Sequence, residues 1–351
     1  RGVEATFESV WIHDVLGSRG FDITEPADAV VRNCLVERAR VTAIMIWGSQ
    51  ALIEDTVVRD TDGRGLNHSY NDQTGTPSSG TYRRVIVDRS ADLGAVFFAG
   101  DATIEQLVVR DVAPDDEGWG GEGISLIGWE AIPGTFSVAQ SYVSGSHSAG
   151  LLVRGAEATV AHTTIVDTAA APASGWGLAV LTLPNETAWG NLHVTQSLRA
   201  SSAGAGAAFI DTPAALSGGR VRGSTAVPRG GYGNGVLVYE VDAAPSFQPA
   251  LTLTGSVIEE VLESGIWSYG AHVDVQSSAI RDGDPHPYSL TGGVGVRMSP
   301  SEETTPSLTV ESSLVERCHE AGIVGWSALV QIRQSEARDI APGGEAGIGN
   351  G

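Results

Sequence analysis

Residues able to move protons or hold a ligand fall into two sets along this chain. The first is charged. Arg281-Asp282-Gly283-Asp284-Pro285-His286 places a guanidinium, two carboxylates and an imidazole within six residues, a set suited to acid–base work. Similar Arg-Asp pairs stand at Arg59-Asp60 and Arg110-Asp111. Asp60-Thr61-Asp62-Gly63 opens like a Ca²⁺ loop, but the later ligand positions are missing. A protein without metal or cofactor is therefore expected, with Ca²⁺ on Asp60 and Asp62 as the alternative. The second set is aromatic. Gly118-Trp119-Gly120, Gly175-Trp176-Gly177 and Gly231-Tyr232-Gly233 each hold a ring between glycines, and Tyr288 lies two residues beyond His286. Ring faces presented on loops can stack on sugars. Trp119, Trp176, Tyr232 and Tyr288 are thus the candidate ligand-binding residues.

Composition narrows the partners. The chain has 351 residues and 42 acidic against 21 basic side chains, giving a net charge of −21; all the basic ones are arginine. Nucleic acid and anionic membrane both need basic patches, so neither is an expected partner. No apolar run is long enough to span a bilayer, so no membrane insertion is expected. The first residue is Arg1, without a methionine or leader, which suggests a fragment or processed part of a longer chain. No linker divides residues 1–351, and one domain is expected. The two cysteines, Cys34 and Cys318, are expected to be free thiols.

The elements that must carry these residues are strands. Apolar residues alternate with polar ones around Phe7, Val31, Ile53, Tyr82, Ile104, Val138, Val160, Val194, Leu216, Leu253, Val275, Val310 and Ile332. A spacing of 22 residues recurs six times in that series and alternates with a longer spacing of 24 to 37. Period-2 alternation excludes a helical solenoid, and 22 residues are too few for a four-stranded propeller blade. Thirteen markers then mean thirteen rungs of a β-solenoid. Short 22-residue rungs alternate with longer ones that carry surface loops. The extra residues are placed at 112–122, 168–176, 224–234 and 283–294, and at 67–80, 125–134, 179–190, 237–249 and 297–306. A Gly step six residues after a charged pair, as from Glu316 to Gly322, opens the next bend.

Stacking the rungs turns the charged pairs into columns. One reads His13, Glu37, Arg59, Asp88, Arg110 and later Glu259, Arg281, Glu316, Arg338. The next reads Asp14, Arg38, Asp60, Arg89, Asp111 and later Glu260, Asp282, Arg317, Asp339. Both alternate in sign, so a ladder that fixes register is expected to absorb Arg281 and Asp282. Glu260 breaks the alternation. Arg199 falls on a position that is Val315 in a regular rung, an arginine at a core site.

The repeats Val57–Thr61 (VVRDT) and Val108–Val112 (VVRDV), with LVER at Leu35–Arg38 and Leu314–Arg317, complete the pattern. Over essentially the whole chain it resembles the right-handed parallel β-helix superfamily, also called pectin-lyase-like. It is especially similar to repeats of uncharacterised secreted or surface bacterial proteins. The resemblance implies an all-β fold, a single right-handed parallel β-helix of about 13 rungs, and an extracellular or cell-surface location. It also implies what an enzyme of this superfamily would need: an Arg or Lys base, often with carboxylate-bound Ca²⁺, or a cluster of Asp. The chain has no Lys and no Asn-Thr-Asp or Gly-His-Gly stretch. The leading expectation is a non-catalytic scaffold, structural, adhesive or glycan-binding, contacting a polysaccharide or another surface protein through loops on alternate rungs. The alternative is a polysaccharide lyase or hydrolase acting on an acidic or neutral glycan at the loop face, with Arg281, Asp282, Asp284 and His286 as its catalytic residues. End-to-end stacking of copies is a further expectation.

Overall fold

The computed structural model describes residues 3–129, 132–173, 177–184, 190–195, 199–223, 233–241, 249–285 and 292–342, the side chains of Arg199 and Ser201 excepted. All ladders between its strands are parallel, and they form three sheets. Sheet A has 13 strands from Val3–Glu8 to Leu329–Arg333, sheet B 13 from Trp11–Val15 to Glu336–Arg338, and sheet C 12 from Arg19–Thr24 to Ile323–Gly325. The chain visits A, B and C in turn and then steps up one rung, which is a parallel β-helix. Every adjacent pair of the thirteen marker residues is paired in register along sheet A, from Phe7↔Val31 to Val310↔Ile332.

The main core runs up the inside of the solenoid as stacked aliphatic residues with buried rings at Tyr82, Phe97, Phe136 and Phe209. Val31, Ile53, Val160 and Val310 from sheet A meet Val36, Val58, Val143 and Val315 from sheet B. Two corners shape each rung. The residue two after the marker takes a left-handed conformation in almost every described rung, for example Asn33, Asp55, Gln106, Ser277 and Gln334. The second residue of the charged pair does the same: Asp14, Arg38, Asp60, Arg89, Asp111, Asp282, Arg317 and Asp339 all have φ between 51° and 57°. The charged pair is therefore also a bend in sheet B.

The Gly step has a different cause. A Cβ on Gly65, Gly94, Gly123, Gly265 or Gly295 would lie 2.3–2.5 Å from a γ-methyl of the inward Val or Ile of sheet B. At this corner the two walls approach too closely for any side chain. Inside the corner between sheets A and B, hydroxyls serve the backbone. The amides of Ser256, Ser278 and Ser313 each donate to the hydroxyl one rung on, Ser278, Ser313 and Ser335, at 3.1 Å. Buried amides that the sheets leave unpaired are satisfied in this way.

Two sequence expectations need correction. Residues 67–69, 125–127, 179–183, 237–239 and 297–299 are strands of sheet C, not loops, and 78–80 begin a strand of sheet A. His68 lies in the core, its Nδ1 2.6 Å from the Tyr82 hydroxyl, and burial lowers its pKa to about 4. Arg199 does not hold a core position. It pairs in register with Thr164 and Arg220, while the buried Ala200 pairs with Ile165 and Val221. From the marker Val194 to the buried Ala200 the sequence advances six residues instead of the five of the other rungs, and a register shift before Thr168↔Ser202 restores the frame. Cys34 and Cys318 are both buried and free, and burial pushes the Cys318 thiol up to about 11.

Candidate functional site

The charged columns stack as a ladder on sheet B. Glu37, Asp88, Glu259 and Glu316 are buried under arginines of the next residue or of neighbouring rungs. Glu37 binds Arg59 at 2.6 Å and Arg38 at 2.7 Å. Asp88 binds Arg110 at 3.1 Å and Arg89. Glu316 binds Arg338 at 2.8 Å and Arg317. Glu259 takes Arg281 at 2.7 Å and also Arg220, which the sequence columns had not placed there. Burial alone would raise the Glu259 carboxyl, but its two arginines outweigh burial and hold it below the usual range. Arg59 and Arg338 are the leading causes of the same shift at Glu37 and Glu316.

This ladder takes up the acid–base candidates. Arg281 is held by Glu259, and Asp282 by Arg317 at 2.6 Å, which lowers the Asp282 pKa. The break at Glu260 closes on its other side, against Arg222 at 2.5 Å. Asp284 is exposed, 3.7 Å from His319. His286 lies outside the described residues, as do Trp176, Tyr232 and Tyr288. Asp60 is bound by Arg89 at 2.7 Å, and Asp62 is exposed. Among the described residues, no group of three or more His, Cys, Asp or Glu is placed to hold a metal.

Trp119 is 59% exposed at the tip of its loop. Asp115 organises that loop by accepting the amides of Glu117 and Trp119, at 3.1 and 2.8 Å. Gly118, Gly120 and Gly121 have φ of 73–84°, open to glycine and strained for other residues. Behind the loop stands Glu122, whose Oε2 is buried without a hydrogen-bond partner among the described residues; burial raises its pKa to about 6. Its neighbour one rung below, Asp92, is paired with Arg64 at 3.0 Å. A different aromatic row, not anticipated from sequence, runs along the corner between sheets C and A. Tyr70 packs on Phe98 at 5.6 Å and Phe98 on Trp129 at 5.7 Å.

A concavity lies on the outer face of sheet A, a surface with no sequence-predicted site residue. It is an open groove of about 930 Å³ crossing seven rungs, from Val3–Glu8 to Glu157–Ala161. Six steps of ~4.8 Å make it about 29 Å long. Its floor combines short polar side chains with the half-buried Val30 and Leu52. Thr81, Thr103, Ser137 and Thr159 stack in register as a row of hydroxyls. Glu4, Asp28 and Asp101 are exposed in the groove and form no ion pair among the described residues, and the lining holds no arginine or histidine. Arginines do stand along one rim, but they are engaged: Arg32 with Glu54 at 2.9 Å, Arg83 with Glu105 at 3.1 Å, and Arg84 with Asp55 at 2.6 Å. The signal legible in sequence was the Thr or Ser one residue before the markers Tyr82, Ile104, Val138 and Val160, which reads as ordinary strand surface.

The sequence matches no protein-family model and no curated protein. Solved structures share its architecture. The periplasmic alginate epimerase AlgG matches with a TM-score of 0.53 and 11% identity, over 95% of this chain and 74% of that one. The Dettilon tailspike protein (gp208) matches at 0.50 and 12%, over 93% of this chain and 61% of that one, so this chain spans under two thirds of the tailspike. At such identities the likeness establishes the parallel β-helix fold.

Proposed function

We propose that this β-helix is a non-catalytic, extracytoplasmic scaffold that binds an extended glycan along the groove on sheet A. The observation that carries the reading is the groove itself: about 930 Å³ spread over seven rungs, floored by in-register hydroxyls, with every nearby arginine engaged by a carboxylate. Stacked hydroxyls and acceptors at a constant step suit a polymer with hydroxyls along its length, and the open shape suits a chain that enters from the side. Cleavage by an arginine base would need a free guanidinium within reach of the ligand, and the arginines along the groove rim are held in ion pairs. The structural neighbours support the glycan part of this reading alone, since one is named an alginate epimerase and another is a tailspike. The earlier expectation that alternate-rung loops make the contact is kept only as a second surface, centred on Trp119.

The test is a glycan array followed by product analysis of every glycan retained. Binding without new reducing ends or unsaturated sugars is the expected result. Turnover of a bound glycan would overturn the non-catalytic reading.

A further inference from the structure

We infer that the groove on sheet A selects neutral glycans and rejects polyuronates; this rests on the glycan-groove reading above. The charge inside the groove sets this selectivity. Asp28 and Asp101 are exposed on its floor and Glu4 at its first rung, none of them in an ion pair among the described residues. Glu4 and Asp28 are also register partners, so two carboxylates lie side by side. An ionised carboxylate only accepts hydrogen bonds, and two neighbouring sugar hydroxyls can donate to its two oxygens. A uronate at the same place brings a third negative charge and no additional donor. Nothing in the lining compensates it, because the rim arginines Arg32 and Arg83 already bind Glu54 and Glu105. The net charge of −21 repels a polyanion at longer range as well. Val30 and Leu52, half-buried and adjacent in register, give the floor an apolar patch against which the C–H face of a neutral pyranose can lie.

Calorimetric titration with neutral β-1,4-linked glucan and mannan hexasaccharides, against an oligomannuronate of the same length, tests this with and without Ca²⁺. The neutral probes are expected to bind at least about tenfold more tightly than the uronate in both conditions. The double variant Asp28→Asn/Asp101→Asn is expected to narrow that gap by at least about threefold. Both substitutions lie on the exposed floor, and far-UV circular dichroism checks that the sheet is intact. Thr103→Trp, which fills the groove, locates the binding. Preferential uronate binding that Thr103→Trp abolishes would leave the groove reading standing and overturn the neutral class. Binding by none of the probes, or binding indifferent to Thr103→Trp, would overturn the groove reading and this inference with it. A gap unchanged by the double variant would overturn the electrostatic argument.

Discussion

Glu122 and Glu259 are both carboxyls buried in the wall of the solenoid, yet pH acts on them in opposite senses. Arg220 and Arg281 hold the Glu259 carboxyl below its ordinary value, as Arg38, Arg59, Arg317 and Arg338 do for Glu37 and Glu316. Their stabilisation is present above the unfolded-state value of about 4.5 and is lost as pH falls through the lower folded values. Glu122 has no cation of its own, and burial raises it from 4.5 to about 6. Its contribution is complete below 4.5 and is lost as pH rises through about 6. Glu122→Gln should therefore raise stability at pH 7.5 by at most about 2 kcal/mol and leave it unchanged at pH 4. Urea unfolding at the two pH values measures this. A variant less stable than the parent at pH 7.5 would mean that the ionised carboxylate has a partner. The ladder was legible in the sequence because its period equals the repeat. Glu122 was not, because its shift comes from a loop folding over one particular rung.

At the scale of the strand and corner, the Gly step shows how a rung depends on the rung above it. In Gly265 a Cβ would lie 2.4 Å from Ile280 Cγ2 and 2.6 Å from the Gly295 carbonyl oxygen. Gly322 stands at the same step near the end of the described solenoid, where the nearest atoms to its Cβ would be at 3.4 Å. Gly265→Ala is expected to cost about 1–3 kcal/mol, and Gly322→Ala to cost less than about 1 kcal/mol. Thermal unfolding of the two variants decides this. Equal losses would show that the step needs glycine for its backbone rather than for close approach. The strands of sheets A and B were readable because only one face is buried and the apolar residues alternate. Sheet C was partly misread as loop for a physical reason: Met45, Val96 and Ser125 on its outer side are buried as well, so Thr42–Trp47 and Leu93–Phe98 show no alternation. Arg199 was misplaced because one additional residue in one turn moves every following side chain to the other face until the frame is restored.

For the molecule as a whole, the ladder and the groove are consequences of one geometry. Rungs of constant register turn each sequence position into a row at ~4.8 Å. A row of alternating charge neutralises itself and becomes structure, while a row of hydroxyls becomes a surface fitted to a polymer. The first kind announces itself in sequence through conspicuous Arg-Asp pairs. The second consists of Thr and Ser, and only the fold shows that Thr81, Thr103, Ser137 and Thr159 line one trough. That is why Arg281 and Asp282, conspicuous in sequence, stand paired in the ladder as expected, while the groove lies in strands of unremarkable sequence.

The most direct test of this account is a glycan array probed with the parent protein, with Thr103→Trp and with Trp119→Ala. The account predicts that Thr103→Trp abolishes the glycan signals and that Trp119→Ala leaves them in place. Signals that survive Thr103→Trp and vanish with Trp119→Ala would contradict it and move the binding surface to the loops.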